Sequence, residues 1–212
     1  MSPLIIDEHE KNLIWPDDLD EPGRFYFKLD NLHDGDDAEH EVILEDDGSN
    51  MARVYLRHID SGEVSANFLL EFYLSPPEGF PVRIPQVTSA FVGTEYRTVK
   101  LSQYVYRMLM KHYGAVVSDT HQTAGGMLIW LFMGEDDTVQ LNIMQVRGDR
   151  LEYRLKNGEP EAYIGEIDAL EQAGDTIWGD PHGELSLRTL QRLGFRPAHQ
   201  NMQHIVLAAR PV

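Results

Sequence analysis

Phe91-Val92-Gly93-Thr94-Glu95-Tyr96-Arg97-Thr98-Val99-Lys100-Leu101-Ser102-Gln103-Tyr104-Val105-Tyr106 carries the chain from the end of an apolar run, through a polar turn, into an amphipathic one. The apolar run predicts a strand over 86–92. Spacings of three and four among Leu101, Val105, Met108, Leu109 and His112 predict a helix over 98–113, with Gly114 where a left-handed C-cap belongs. Ala115-Val116-Val117 predicts a second strand, leading into Ser118-Asp119. A strand that feeds straight into a helix N-terminus builds an anion site, because free backbone N–H groups and the positive end of the helix dipole point at whatever sits there. Phosphate is the usual occupant of such a site.

Working outward, Met51–Ile59 and Val64–Leu74 read as strands joined by the hairpin signal Asp60-Ser61-Gly62. Pro76-Pro77, Pro81 and Pro85 mark an extended connection to the strand at 86–92. Further upstream lie a strand at Arg24–Leu29, an acidic loop from Asp30 to His40, a short strand at Val42–Leu44 and a turn at Asp46–Ser49. Downstream, Thr120 or Thr123 caps a helix containing Met127, Trp130 and Leu131. Strands at Val139–Val146 and Leu151–Leu155, a helix around Leu185–Leu193 and a closing strand at Ile205–Ala208 complete the reading. Residues 1–22 form an acidic N-terminal arm anchored at Trp15-Pro16, and residues 23–212 one domain.

Composition narrows the chemistry. The chain of 212 residues has no cysteine, which excludes disulfides, thiolate metal sites and a cysteine nucleophile. The first eight residues lack the basic region and apolar core of a signal peptide, and no apolar run approaches a membrane span, so a cytoplasmic protein is expected. The net charge of −17 is skewed: residues 1–50 hold 16 acidic side chains against Lys11, Arg24 and Lys28. Such a field repels nucleic acid and favours a cationic amine or a basic protein surface, unless it serves only as a solvated face. No His-x-x-x-His or His-x-His pair supports a zinc site. Asp30–Gly35 only partly mimics a calcium loop, with Leu32 at a ligand position.

The stretch resembles the core of the GNAT superfamily, the acyl-CoA N-acyltransferases, over residues 85–133. Arg97-Thr98-Val99-Lys100-Leu101-Ser102 matches the pyrophosphate loop Arg/Gln-x-x-Gly-x-Gly/Ala, with Lys100 and Ser102 standing where the family carries small residues. The run from Val116 to Trp130, with Ser118-Asp119 and Gln122-Thr123-Ala124-Gly125-Gly126, looks like the second strand and helix of acyltransferase-like proteins encoded by bacteriophages, which would place the protein in a host cytoplasm. The resemblance implies an α+β fold: a central mixed, mostly antiparallel sheet flanked by helices, in which only the strands at 86–92 and 115–118 run parallel and then splay.

It further implies acetyl-CoA or CoA in the gap, with Phe91, Val92, Arg97, Thr98, Val99, Lys100, Leu101 and Ser102 lining it, and a backbone N–H near Val92 polarising the thioester carbonyl. Acetyl transfer to an amine then needs a base, for which Glu71 is the first candidate. It also needs an acid for the leaving thiolate. The family's tyrosine is missing from residues 114–152, which leaves Ser118 or His121. Ser118, Asp119 and His121 are also the residue types of a hydrolase triad, but triad members converge from separate elements. The competing reading is a non-catalytic phage-type protein that binds and inhibits a basic host protein through the same fold and its acidic face.

Overall fold

A computed structural model describes residues 13–97, 100–120, 124–163 and 205–212. The chain lays down β1 (Tyr26–Lys28), β2 (Leu32–His33), β3 (Glu39–Glu45), β4 (Met51–His58), β5 (Val64–Glu71) and β6 (Gln86–Val92). Helix α1 (Leu101–Tyr113), β7 (Val116–Ser118) and α2 (Ala124–Gly134) follow. Then come β8 (Val139–Arg147), β9 (Arg150–Tyr153), β10 (Leu155–Lys156), β11 (Glu159–Pro160), β12 (Ala162–Tyr163) and β13 (Ile205–Pro211). One large sheet runs in the order β1-β3-β4-β5-β6-β7-β13-β8-β12, with β2 beside β3 and β9 beside β8, while β10 and β11 form a separate hairpin. All its strand pairs are antiparallel except β6 with β7.

The pattern of alternate residues decides which face is buried. Val42 and Leu44, Ala52, Val54 and Leu56, and Ala66, Phe68 and Leu70 project to one face. There they meet Leu101, Val105, Tyr106, Leu109 and Met110 of α1 and Trp130 and Met133 of α2. Gly114 ends α1 at φ 80°, its N–H on the Met110 carbonyl at 2.8 Å. β13 is buried on both faces: Ile205, Leu207 and Ala209 join this core, whereas Val206 and Ala208 meet Ile84, Ala115, Val117, Met144 and Leu151 on the other side. Double burial explains its unbroken apolar run, since neither side of the strand faces water. On the outer face of β4 and β5, Arg57 lies 4.3 Å over the Trp15 ring and Asn67 Nδ2 donates to the Ile14 carbonyl at 3.0 Å, so the arm lies along the sheet there.

The expected α+β sheet is present as a mixed, mostly antiparallel one, but helices are few: the described residues contain two. The helix expected at Leu185–Leu193 falls outside the described residues. The acidic loop at 30–40 is in fact a hairpin of β2 and β3, because Leu32 and His40 are buried and pull its flanks into the sheet. His112 is exposed rather than part of the α1 stripe, whose buried side turns toward Tyr106 and Met110. No described helix is long and apolar enough to cross a membrane.

Candidate functional site

β6 and β7 stay paired only through Gln86 with Val117 and Val87 with Ser118, and Gln86 Nε2 ties the junction to the Ser118 carbonyl at 2.9 Å. Through Val92, five residues spanning about 16 Å, β6 has no further strand partner on that edge among the described residues. The split begins at a bulge. Leu70 faces Val87 and Leu69 faces Ser89, so Thr88 is the extra residue that bends the strand. At the far end Gly93 N–H donates to the Ser65 carbonyl of β5 at 2.9 Å. Successive residues of a strand point their peptide groups to opposite edges, so the Val92 N–H and C=O face the open side. Arg97 Nε reaches back to that Val92 carbonyl at 3.0 Å.

Beyond β6 comes a 3-10 turn at Thr94–Tyr96. Thr98 and Val99 lie outside the described residues. Lys100, the N-cap of α1, adopts φ 59° and ψ 18°, the left-handed conformation that glycine reaches without penalty and other residues at a cost of about 1–2 kcal/mol. The lysine therefore keeps a glycine-like backbone shape. The Lys100 side chain does not cap the helix and no acid sits in its first turn, so the N-terminal amides around Leu101 and Ser102 are oriented as for an anion. The Leu101 side chain is buried in the core, and only its backbone can serve the site.

Glu71 and Ser118 lie apart from this turn. Glu71, at the end of β5, is the register partner of Gln86, about 20 Å along β6 from Val92. Ser118 is fully buried: its Oγ accepts the Leu207 N–H of β13 and donates to the Asp119 carbonyl, both at 3.1 Å. That hydroxyl bridges two strands. His121 lies outside the described residues. Asp119 is also buried, and its Oδ1 accepts the Thr120 N–H at 2.6 Å. The buried phenol that feels the Asp119 charge is Tyr106 of α1, kept neutral as burial, and then that charge, push its pKa up.

A second cluster, not anticipated from the sequence, sits under the turn. His40 Nδ1 lies 2.8 Å from Ser65 Oγ and its Nε2 3.0 Å from Asp34 Oδ2. Asp34 also accepts the N–H groups of Asp36 and Ala38, at 2.9 and 3.0 Å. Ser65 reaches His40 because it is a bulged residue: Leu56 faces Ala66 and Arg57 faces Val64, leaving Ser65 extra. The rings of His58 and Tyr96 close around His40 at 5.4 and 5.5 Å, and the Tyr96 hydroxyl lies 3.5 Å from Glu63. Burial pushes the His40 imidazole below its usual range, which Asp34 only partly offsets. For Asp34, burial acts to raise the pKa, but the bonds from His40, Asp36 and Ala38 outweigh it and hold the carboxyl low. Ser65 and His40 are fully buried, so this Ser-His-Asp set is closed to substrate.

The alternation His40-Val42-Leu44 in the sequence marks His40 as core-facing, whereas the bulge that brings Ser65 to it leaves no local signature. Among the described residues no group of three His, Asp or Glu side chains is placed to hold a metal ion. Comparisons with known proteins find no match for this chain, whether to a family model, a curated protein or a solved structure.

Proposed function

We propose that this chain is an acyl-CoA N-acyltransferase-like protein of the GNAT type, which holds CoA along the open edge of β6. The observation that carries the reading is the short parallel pairing of β6 with β7: two residue pairs, a bulge at Thr88, then an edge with no strand partner among the described residues, followed by a helix whose N-cap side chain makes no capping bond. The amides of the pantetheine arm pair with that edge as an added strand would. The pyrophosphate meets the N-terminus of α1, with Arg97 and Lys100 supplying positive charge. The Val92 N–H, turned to the gap, polarises the thioester carbonyl. The insertion of β13 between β7 and β8 also supports the closing C-terminal strand that the resemblance implies.

The position of the catalytic candidates favours a second reading, binding with little or no transfer. Ser118 is committed to β13, and Glu71 stands at the opposite end of β6. In that case the protein acts through contact with a basic protein surface. Calorimetric titration with CoA and acetyl-CoA tests the first reading. Millimolar or tighter binding is expected, and Arg97→Ala should weaken it by about one to two decades, the loss of a charge-assisted contact worth about 1.5–3 kcal/mol. Absence of heat at millimolar CoA, in the wild type and in Lys100→Gly alike, overturns CoA binding and leaves the protein-contact reading.

A further inference from the structure

We propose that Asp34, His40 and Ser65 form an acid-released latch on the turn that joins β6 to α1. Asp34 as a carboxylate only accepts, so His40 Nε2 carries the imidazole proton and Nδ1 accepts from the Ser65 hydroxyl. The same Ser65 holds the turn through its carbonyl, which accepts the Gly93 N–H at 2.9 Å. Tyr96 N–H in turn donates to the Gly93 carbonyl at 3.0 Å, and the Tyr96 ring stands edge-on against His40. Gly93 has no slack, since a Cβ there would lie 3.0 Å from Tyr96 Cδ2 and 3.5 Å from the Ser65 carbonyl. The chain from Asp34 to the turn is therefore continuous and tightly packed.

Acid acts at one atom. When Nδ1 takes up a proton, the Ser65 hydroxyl can no longer donate to it and must rotate to accept, while a cation is created in a site without solvent. The groups facing His40 set the balance: Asp34 from the β2–β3 turn attracts the new charge, His33 on β2 and His58 on β4 repel it when protonated, and Ser65 and Tyr96 are neutral. Glu63 faces the Tyr96 hydroxyl rather than His40. Burial outweighs the attraction, so opening the latch relieves the charge, and the freed Ser65 releases Gly93 and the turn with it. This inference stands apart from acyl-CoA binding, and its test needs no ligand.

The experiment follows the His40 ring nitrogens by NMR from pH 7.5 to 5 while measuring hydrogen-exchange protection factors at the Gly93 and Tyr96 amides. Expected are a neutral Nε2–H tautomer at the upper end and protection at both amides falling by about tenfold as His40 titrates. His40→Gln keeps a donor and an acceptor but cannot titrate, and its protection should stay flat. Ser65→Ala removes the hydroxyl that stabilises neutral His40, and should move both the titration and the loss of protection to higher pH. If the glutamine variant fails to fold, the wild-type titration and Ser65→Ala decide. The proposal is overturned if His40 protonates without change at Gly93 and Tyr96, if His40→Gln keeps the wild-type pH dependence, or if Ser65→Ala shifts nothing.

Discussion

Arg83 grips Asp46 with both terminal nitrogens, at 2.6 and 2.8 Å, while its guanidinium lies 3.5 Å over the Phe72 ring. The Tyr113 hydroxyl donates to the same carboxylate at 2.7 Å, and Arg83 also reaches the Ser49 carbonyl. The proline-marked segment, the β3–β4 turn and the end of α1 are thereby fastened at one point. Arg83→Ala should cost about 3 kcal/mol, because it strands a largely buried carboxylate. Arg83→Lys should recover little, since an ammonium cannot bond in parallel and stack on Phe72. Urea unfolding of both variants checks this, and near-equal stability of Arg83→Lys and the wild type would contradict it.

Gly114 and Gly148 give a paired test of packing against backbone strain. Both have positive φ, 80° and 64°, but a Cβ at Gly114 would lie 2.8 Å from Pro81 Cγ whereas one at Gly148 meets nothing within 4 Å. Gly148→Ala should cost about 1–2 kcal/mol for the left-handed conformation alone. Gly114→Ala should cost clearly more, by about 1–3 kcal/mol of overpacking. Equal melting shifts in the two variants would show that Pro81 yields freely.

Lys100→Gly should raise stability by up to about 1 kcal/mol, the left-handed penalty relieved less the extra freedom glycine gives the unfolded chain. Its effect on CoA binding separates two roles of the side chain. Affinity rises if the lysine stem obstructs the groove and falls by about tenfold if its charge meets phosphate. Thermal melting and titration calorimetry on one preparation read both quantities.

Stability should decline in two stages as pH falls. His40 has a folded pKa below its unfolded value, so below about pH 6.5 the unfolded chain binds a proton that the folded chain refuses. Asp34, Glu41 and Asp46 also have lowered folded pKa values. Their contributions are complete above the unfolded carboxyl range near 4 and are lost as pH drops through it. Urea midpoints at pH 7.5, 5.5, 4.5 and 3.5 should fall across both intervals, with His40→Gln removing only the upper one. A midpoint that is flat from pH 7.5 to 5.5 would remove His40 from the account.

Local pattern made the strand–turn–helix core readable: the apolar run ending at Val92 is β6 over Gln86–Val92, and Gly114 caps α1 as its position suggests. Apolar-rich runs around the Asp60-Ser61-Gly62 turn likewise located β4 and β5. The acidic hairpin was hidden because Asp34 looks like a surface charge while its partner His40 lies six residues on and the third member, Ser65, twenty-five further. Bulges at Ser65 and Thr88 shift register by one residue against partner strands, a tertiary event that composition does not encode. Ser118 was legible as the end of a strand but not as an acceptor for Leu207, because that contact spans 89 residues.

The placement of β13 between β7 and β8 has a consequence for synthesis. A nascent chain halted before Ile205 holds β7 and β8 with no strand between them, each showing an unsatisfied row of peptide groups beside apolar side chains. The slot between them is one in which β13 is buried on both faces. Before β13 emerges, the described links between the two halves include the short bridge of Ser75 with Arg150, so a chain lacking Ile205–Pro211 has to be kept from pairing with its neighbours through the open slot.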